Sequence, residues 1–146
     1  MKGQVGYRIG LRCSAMYRVS KVSFGFELTF GGAISPDEMK QWRVEAVRAL
    51  VGAPDSFGVL IDMRTLQRDD VDSEAQEAIV EGIGLFKRAG MLRSCIILDS
   101  VQATANYKRR ARESRTYFFE RYINASVDPR WRVKALDWIE KQIDPY

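Results

Sequence analysis

The sequence has no histidine among its 146 residues. Histidine is the usual general base of enzymes at neutral pH and a frequent ligand of zinc and iron. Its absence excludes Ser-His and Cys-His nucleophile pairs and most transition-metal sites. A catalyst built from this sequence would need carboxylates, lysine, tyrosine or a carboxylate-bound magnesium ion. We therefore predict a protein that is not an enzyme and has no catalytic residue, no metal site and no cofactor.

Cysteine is scarce as well, with two residues, Cys13 and Cys95, in apolar strand-like segments. Two distant cysteines cannot form a structural zinc site alone, and buried reduced thiols suit a cytoplasmic protein. Long apolar runs are missing: no segment approaches the ~20 residues that span a bilayer. The first residues, MKGQVGYRIG, are too polar for a signal peptide. The sequence thus predicts a cytoplasmic protein without a transmembrane segment.

The composition that remains is that of an ordinary globular domain. Hydrophobic residues make up 46% and charged residues 29% of the chain, and its length is sufficient to bury a core. We therefore expect residues 1–146 to form a single domain. The formal net charge of +4 comes from one segment, because residues 101–122 contain six basic and two acidic side chains and the remainder is neutral.

Alternating apolar positions predict two strands at the start of the chain. The alternation follows odd positions over residues 7–19 and even positions over residues 22–30, which is the period of a strand with one buried face. The change of phase predicts a tight turn or bulge near residues 20–21. A further break of the first strand near Ser14 stays open.

Helices alternate with buried strands in the rest of the chain. The first helix begins at Ser35 and Pro36, where Glu38 completes a capping box. Two nearly continuous apolar segments close on Asp62 and Asp99, as is typical of strands buried on both faces. The other predicted elements are helices from Asp72 and Ser73 to Gly90, over residues 101–119 and from Asp128 onward, and a short edge strand in RYINA.

The order of elements, β-β-α-β-α-β-α-(β)-α, predicts an α/β fold. Buried strands that alternate with helices form a largely parallel sheet covered by helices, and the leading hairpin adds an antiparallel pair. We expect a single domain with a mixed sheet of four to five strands and about four helices. The strands that end at Asp62 and Asp99 should then be neighbours in the middle of the sheet.

Three short motifs give this arrangement a family likeness. They are the pattern G.IS..E at the start of the first helix, a strand that closes on Asp62, and the terminal ALDWIE. Residues 15–143 thereby resemble the STAS-like superfamily, which includes bacterial anti-sigma-factor antagonists, and within it a bacterial STAS/CRAL-TRIO-like subgroup. The resemblance implies a STAS-like (SpoIIAA-like) fold and a regulatory, non-catalytic role that depends on a protein partner.

The resemblance also singles out the start of the second helix. In regulatory STAS proteins, a motif of the Asp-Ser-Ser-Gly type carries a phosphorylated serine there. Only Asp72 and Ser73 match in this sequence, because Glu74 and Ala75 replace the second serine and the glycine. Ser73 is thus a candidate phospho-site or partner contact. Ser73 with Gln76 also forms a capping box, and the acidic neighbours would repel a phosphate, so we favour the cap.

Carboxylates near the ends of the two buried strands raise the question of a magnesium site. Ligands in open α/β sheets gather at the carboxyl ends of strands, and magnesium needs several converging oxygens. Nothing in the spacing requires convergence, and Asp62 beside Arg64, or Asp99 before Ser100, more often orients a loop or caps a helix. We therefore favour structural roles. The carboxylates concerned are Asp62, Asp69, Asp70, Asp72 and Asp99.

The helix predicted over residues 101–119 has the most unusual composition. Its outer side carries Lys108, Arg109, Arg112 and Arg115. Such a face fits an acidic protein partner, an anionic membrane surface or nucleic acid, whereas a solvated face partly neutralised by Glu113 and Glu120 is the simpler interpretation. Aromatic residues do not interleave with the basic ones, so nucleic acid is the least favoured partner.

Two functions of different classes fit these patterns. The favoured one is a non-catalytic cytoplasmic regulatory or protein-interaction domain that contacts a partner through residues 62–76, the following helix and the basic helix. Self-association as a homodimer through a sheet edge or helix face is a further option. The alternative is a carrier or sensor of a small apolar or anionic ligand held between the sheet and the helix over residues 75–86. Gly82 and Gly84 in that helix predict close packing against the sheet or a ligand.

Overall fold

A computed structural model describes the backbone of residues 5–8, 15–66 and 73–146, and the side chains of residues 16–66 and 77–146. The described residues form a six-stranded sheet and four α-helices. The strands are β1 Val5–Arg8, β2 Ala15–Val22, β3 Gly25–Gly31, β4 Phe57–Asp62, β5 Met91–Leu98 and β6 Glu120–Asn124. The helices are α1 Pro36–Leu50, α2 Ser73–Ala89, α3 Val101–Ser114 and α4 Trp131–Lys141. None of these helices combines the length and the apolar character that crossing a membrane requires.

The strands follow one another across the sheet in chain order, from β1 to β6. The pairs β1–β2 and β2–β3 are antiparallel, whereas β3, β4, β5 and β6 run parallel to one another. β4 lies beside β5, with Asp62 opposite Ile97. The predicted α/β fold with a mixed sheet is therefore confirmed, and the strands that lead to Asp62 and Asp99 are neighbours.

The N-terminal strands differ from the prediction in two ways. The segment over residues 7–19 contains parts of two paired strands, β1 and β2, so the sheet has one strand more than the four or five expected. The turn between β2 and β3 lies at residues 23–24 and not at residues 20–21. Because Val22 pairs with Gly25, odd-numbered residues of β2 lie opposite even-numbered residues of β3. This register produces the change of phase in the sequence.

Three helices cover one face of the sheet, and α4 covers the other. α1, α2 and α3 each connect two adjacent parallel strands, and right-handed crossovers in chain order place all three on the same side. The large core beneath them includes the fully buried rings of Phe26 and Trp42. α4 packs on the opposite face across β4, β5 and β6, where Leu60, Ile97 and Trp138 belong to a smaller core.

α1 begins as its sequence predicts. The Ser35 hydroxyl accepts a hydrogen bond from the backbone N of Glu38 (3.1 Å), and the Glu38 carboxylate accepts one from the backbone N of Ser35 (2.9 Å). These two bonds complete the capping box. Further along α1, the ring of Trp42 lies 5.0 Å from that of Phe30 in the sheet. α1 is therefore fixed at its start by the cap and along its buried side by aromatic packing.

α3 is shorter than predicted, and α4 begins later. α3 ends at Ser114 because Arg115 adopts a left-handed conformation with φ of 67°. A short 3-10 turn, Thr116–Phe118, then leads into β6, the predicted edge strand. α4 begins at Trp131, after the predicted start at Asp128, because the Asp128 carboxylate closes a turn before the helix by accepting a hydrogen bond from the backbone N of Arg130 (3.0 Å).

Candidate functional site

The carboxyl end of β4 is held by an arginine clamp. The Asp62 carboxylate accepts hydrogen bonds from the Arg64 guanidinium at 3.0 and 2.9 Å and from the Arg64 backbone N at 3.0 Å. The same guanidinium lies 4.5 Å above the ring of Trp131 at the start of α4. The hydrogen bond to Asp62 raises the pKa of Arg64. Asp62 therefore orients the connection after β4 against α4.

Of the other carboxylates in the predicted cluster, the structure describes Asp99 alone. Asp99 is exposed after β5, and the next residue, Ser100, caps α3 by accepting a hydrogen bond from the backbone N of Ala103 (3.1 Å). No three acidic or cysteine side chains among the described residues are grouped to hold a metal ion. Outside the described residues lie Asp69, Asp70 and Asp72.

The candidate phospho-site lies at the edge of the described chain. α2 begins at Ser73, where the sequence predicts the start of a helix. Asp72 and the side chain of Ser73 fall outside the described residues, so the capping role and the phospho-site both stay predictions. About two turns further along α2, Val80 leaves 59% of its surface exposed. The side chain of Val80 is thus accessible to a partner.

α3 carries an exposed row of arginines. The members of this arginine row are Arg109, Arg110, Arg112 and Arg115. None of them forms an ion pair with a carboxylate of the described residues. Lys108 is half-buried, and its ammonium lies 5.1 Å from the ring centre of Tyr146. Of the four predicted basic residues, Lys108 is therefore the least exposed, and Arg115 lies just beyond the helix.

A cleft of about 620 Å³ opens between α2 and α3 on the face that these helices cover. Ile79, Ile83 and Gly84 belong to its α2 wall, and Tyr107 and Ala111 belong to its α3 wall. β5 and β6 contribute the floor. Most of these groups are apolar, so the cleft has the lining and the size of a site for a small molecule.

A buried carboxyl group lies in the floor of this cleft. Glu120, at the start of β6, is 7% exposed and accepts hydrogen bonds from the hydroxyls of Ser94 (2.8 Å) and Tyr122. Burial raises the pKa of Glu120, and the two hydrogen bonds act in the opposite direction. The expectation that Glu120 partly neutralises the basic helix is wrong, because β6 directs its side chain to the same face as Tyr122, beneath α3.

The glycines of α2 have different surroundings. A Cβ added to Gly82 would lie 2.2 Å from Cζ3 of Trp42, so Gly82 packs as closely as the sequence predicts. A Cβ added to Gly84 would meet only the Arg88 guanidinium, at 3.5 Å. Gly84 borders the cleft, and a glycine inside a helix was the feature of the sequence that pointed to it. Glu120 and Ser94 have no distinctive sequence context that would have indicated the buried carboxyl group in the cleft floor.

Comparison with known proteins identifies the fold. No family model matches the chain, and neither does any curated protein. A similar solved structure is that of an uncharacterised protein of the DUF3478 family from Shewanella loihica, described as having a SpoIIAA-like fold. The structural alignment covers 90% of this chain and 98% of that protein's chain, with a TM-score of 0.57 and 18% sequence identity. The chain has a SpoIIAA-like fold. The STAS-like resemblance of the sequence is thus confirmed at the level of the fold.

Proposed function

We propose that this SpoIIAA-like chain is a non-catalytic, cytoplasmic regulatory domain that recognises an acidic protein partner. The observation that carries the proposal is the arginine row on α3. Guanidinium groups pair with carboxylates in a bidentate geometry that favours arginine at protein interfaces. Because no described carboxylate pairs with the arginine row, carboxylates of a partner would meet guanidinium groups that have no acidic partner among the described residues.

Exposed apolar groups beside the arginine row support the same proposal. Phe118, in the turn after α3, is 81% exposed, and Val80 on α2 is 59% exposed. Interfaces commonly combine an aromatic anchor with arginine. We also propose that the partner contact includes residues 62–76, with Ser73 as a contact and Asp62 orienting Arg64 after β4.

The chemistry of the chain favours binding over catalysis. The sequence contains no histidine, and Cys95 is fully buried, which raises the pKa of its thiol. A buried thiol with a raised pKa is a poor nucleophile. The buried Glu120 is held by two hydroxyls of the protein itself. We therefore assign these groups to the structure and not to a reaction.

Charge reversal on α3 tests the proposal. Partners would be captured from the native host, purified, and titrated against the wild type and against the double variant Arg109→Glu, Arg112→Glu. The matched control is Arg48→Glu, Arg130→Glu, which changes the net charge equally at exposed positions outside α3. We expect binding of the purified partner to weaken at least about tenfold for the α3 variant, and by much less for the control.

Further measurements separate the proposal from its rivals. Phe118→Ala should weaken the same complex, and higher salt should lower the association rate. Equal weakening by the α3 variant and the control would show that net charge alone is responsible, and the proposed surface would be rejected. Binding to anionic vesicles or to DNA that requires the arginine row, with no purified protein partner, would also reject it. Sedimentation of the free chain would show whether a homodimer is the partner.

A further inference from the structure

The cleft between α2 and α3 is larger than a packing defect. Protein interiors are packed to the density of organic crystals, and voids larger than a water molecule are few. A volume of about 620 Å³ lies within the range of 300 to 1,000 Å³ that is usual for small-molecule sites. Ile79 and Ile96 are almost completely buried at its base. Val80 in the lining is 59% exposed, so a molecule with an apolar body would remove apolar surface from water.

Gly84 keeps the α2 wall of the cleft open. Glycine inside a helix is less stable than alanine, and Gly84 has no positive φ that would require it. Close packing does not require it either, because an added Cβ would meet only the Arg88 guanidinium at ordinary contact distance, 3.5 Å. The missing side chain therefore leaves the volume of the cleft free. This contrasts with Gly82, whose small size Trp42 explains.

Charged groups at the rim of the cleft favour an anion. Lys87 on the α2 side lies 4.2 Å from the ring centre of Phe119, and Arg110 on the α3 side lies 5.2 Å from that of Tyr107. Glu113 is the acidic group at this rim. Two cations with one carboxylate leave the rim positive, and a low-dielectric cleft strengthens the attraction of an anionic group.

The buried acid in the floor does not oppose such a ligand. Both oxygens of Glu120 are engaged by the hydroxyls of Ser94 and Tyr122. Burial raises the pKa of Glu120, which favours its uncharged form. Glu120 is thus occupied within the floor, and the direction of its pKa shift reduces the repulsion that an anionic head group would meet.

We propose that the cleft binds a small amphiphile with one anionic head group, whose hydrocarbon body lies between α2 and α3 and whose head group meets Lys87 and Arg110. A carboxylate and a phosphate ester share this chemistry. Arg110 belongs to both the cleft and the arginine row, whereas Arg109 and Arg112 do not line the cleft. The charge reversal at Arg109 and Arg112 therefore tests partner binding without changing the cleft lining.

Three amphiphiles of equal chain length test the charge preference. Dodecanoate, dodecyl phosphate and dodecyltrimethylammonium would be titrated below their micellar concentrations by calorimetry, with native mass spectrometry to count bound molecules. We expect saturable one-to-one binding of at least one anion, and at least about tenfold weaker binding of the cation. The two anions distinguish a carboxylate from a phosphate ligand. No saturable binding of either anion, or equal binding of the cation, overturns the proposal.

Two variants and a control test the location. Gly84→Phe places a ring in the cleft, and the exposed position Val47 on α1 supplies the control Val47→Phe. We expect anion binding to weaken at least about tenfold in Gly84→Phe and to stay unchanged in Val47→Phe. Lys87→Ala with Arg110→Ala leaves the apolar walls in place and should remove the preference for an anion. Unchanged anion binding in Gly84→Phe, or an intact preference in the double variant, contradicts the assignment.

Discussion

The two glycines of α2 allow one prediction to be worked out in detail, because the same substitution should have opposite effects two residues apart. At Gly82, an added Cβ would lie 2.2 Å from Cζ3 and 2.9 Å from Cη2 of Trp42. The Trp42 side chain is fully buried, with its ring 5.0 Å from that of Phe30 and 6.1 Å from that of Phe86. It has little room to move away. At Gly84, the added Cβ meets only the end of a flexible arginine.

The expected free energies follow from two opposing effects. Replacing glycine by alanine inside a helix stabilises the folded state by up to about 1 kcal/mol. Gly84→Ala should gain most of this amount. Gly82→Ala gains the same but adds a methyl group to a filled core, which typically costs about 1–3 kcal/mol. Because 2.2 Å is far inside contact distance, we take the upper part of that range and expect a net loss of about 1–2 kcal/mol.

Urea unfolding followed by circular dichroism measures both effects. The two variants should differ by about 2–3 kcal/mol, which separates their midpoints by roughly 1 M at unchanged slope. In a Trp42→Phe background, Cζ3 and Cη2 are absent, so the loss caused by Gly82→Ala should shrink. The reasoning is refuted if Gly82→Ala is as stable as Gly84→Ala, or if the Trp42→Phe background leaves the difference unchanged.

Three further predictions concern buried or capping groups. Burial raises the pKa of Glu120 above the usual 4.5, so the stability contributed by its protonated form is present below that pH and lost as the pH rises. The unfolding free energy of Glu120→Gln should therefore rise relative to that of the wild type as the pH increases from 4 to 8. A difference between the two proteins that stays constant with pH would contradict this. The Cys95 thiol is fully buried, and burial raises its pKa. In a Cys13→Ser background, it should therefore react with iodoacetamide only when the protein unfolds. Alkylation at a rate that urea does not increase would contradict this burial. Ser35→Ala should lower the unfolding free energy by about 1 kcal/mol, because the hydrogen bond from the backbone N of Glu38 is lost. If urea unfolding shows a loss of only a few tenths of a kcal/mol, the cap does not stabilise α1 as proposed.

Local pattern and burial made the sheet predictable. The segments that close on Asp62 and Asp99 are continuous apolar runs because helices cover both faces of β4 and β5. The start of α1 was equally readable, since a capping box is formed by residues three positions apart. The strand count was less accessible, because the alternation left a break of the first strand near Ser14 open, and the division into β1 and β2 depends on pairing.

The cleft could not be read from the sequence because it depends on residues far apart in the chain. Glu120 follows the basic helix directly, so sequence proximity assigned it to that surface. Its true partner Ser94 is 26 positions away and becomes a neighbour only through the pairing of β5 with β6. The end of α3 at Ser114 was missed for a related reason, since Arg115 takes a left-handed conformation that arginine does not favour.

The cleft exists because α2 and α3 are each held by contacts on their far sides. α2 packs against α1, because the ring of Trp42 on α1 lies directly against Gly82 on α2. A 3.1 Å salt bridge between Arg43 and Glu81 also joins the two helices. α3 is held over β6, where the ring of Tyr107 stacks 5.9 Å from that of Tyr122. Each helix thus has its own attachment to the large core, and neither depends on the other for its position.

This arrangement determines what the gap between the helices can do. Facing small residues normally allow two helices to approach within about 8 Å, and the cleft is lined by Gly84 on α2 and Ala111 on α3. The separate attachments prevent that approach, so the small residues leave volume between the helices instead of closing it. A ligand in this volume would join two helices that otherwise have little contact. Binding would therefore stabilise α2 and α3 together, and a bulky side chain at Gly84 should reproduce part of that stabilisation while it excludes the ligand.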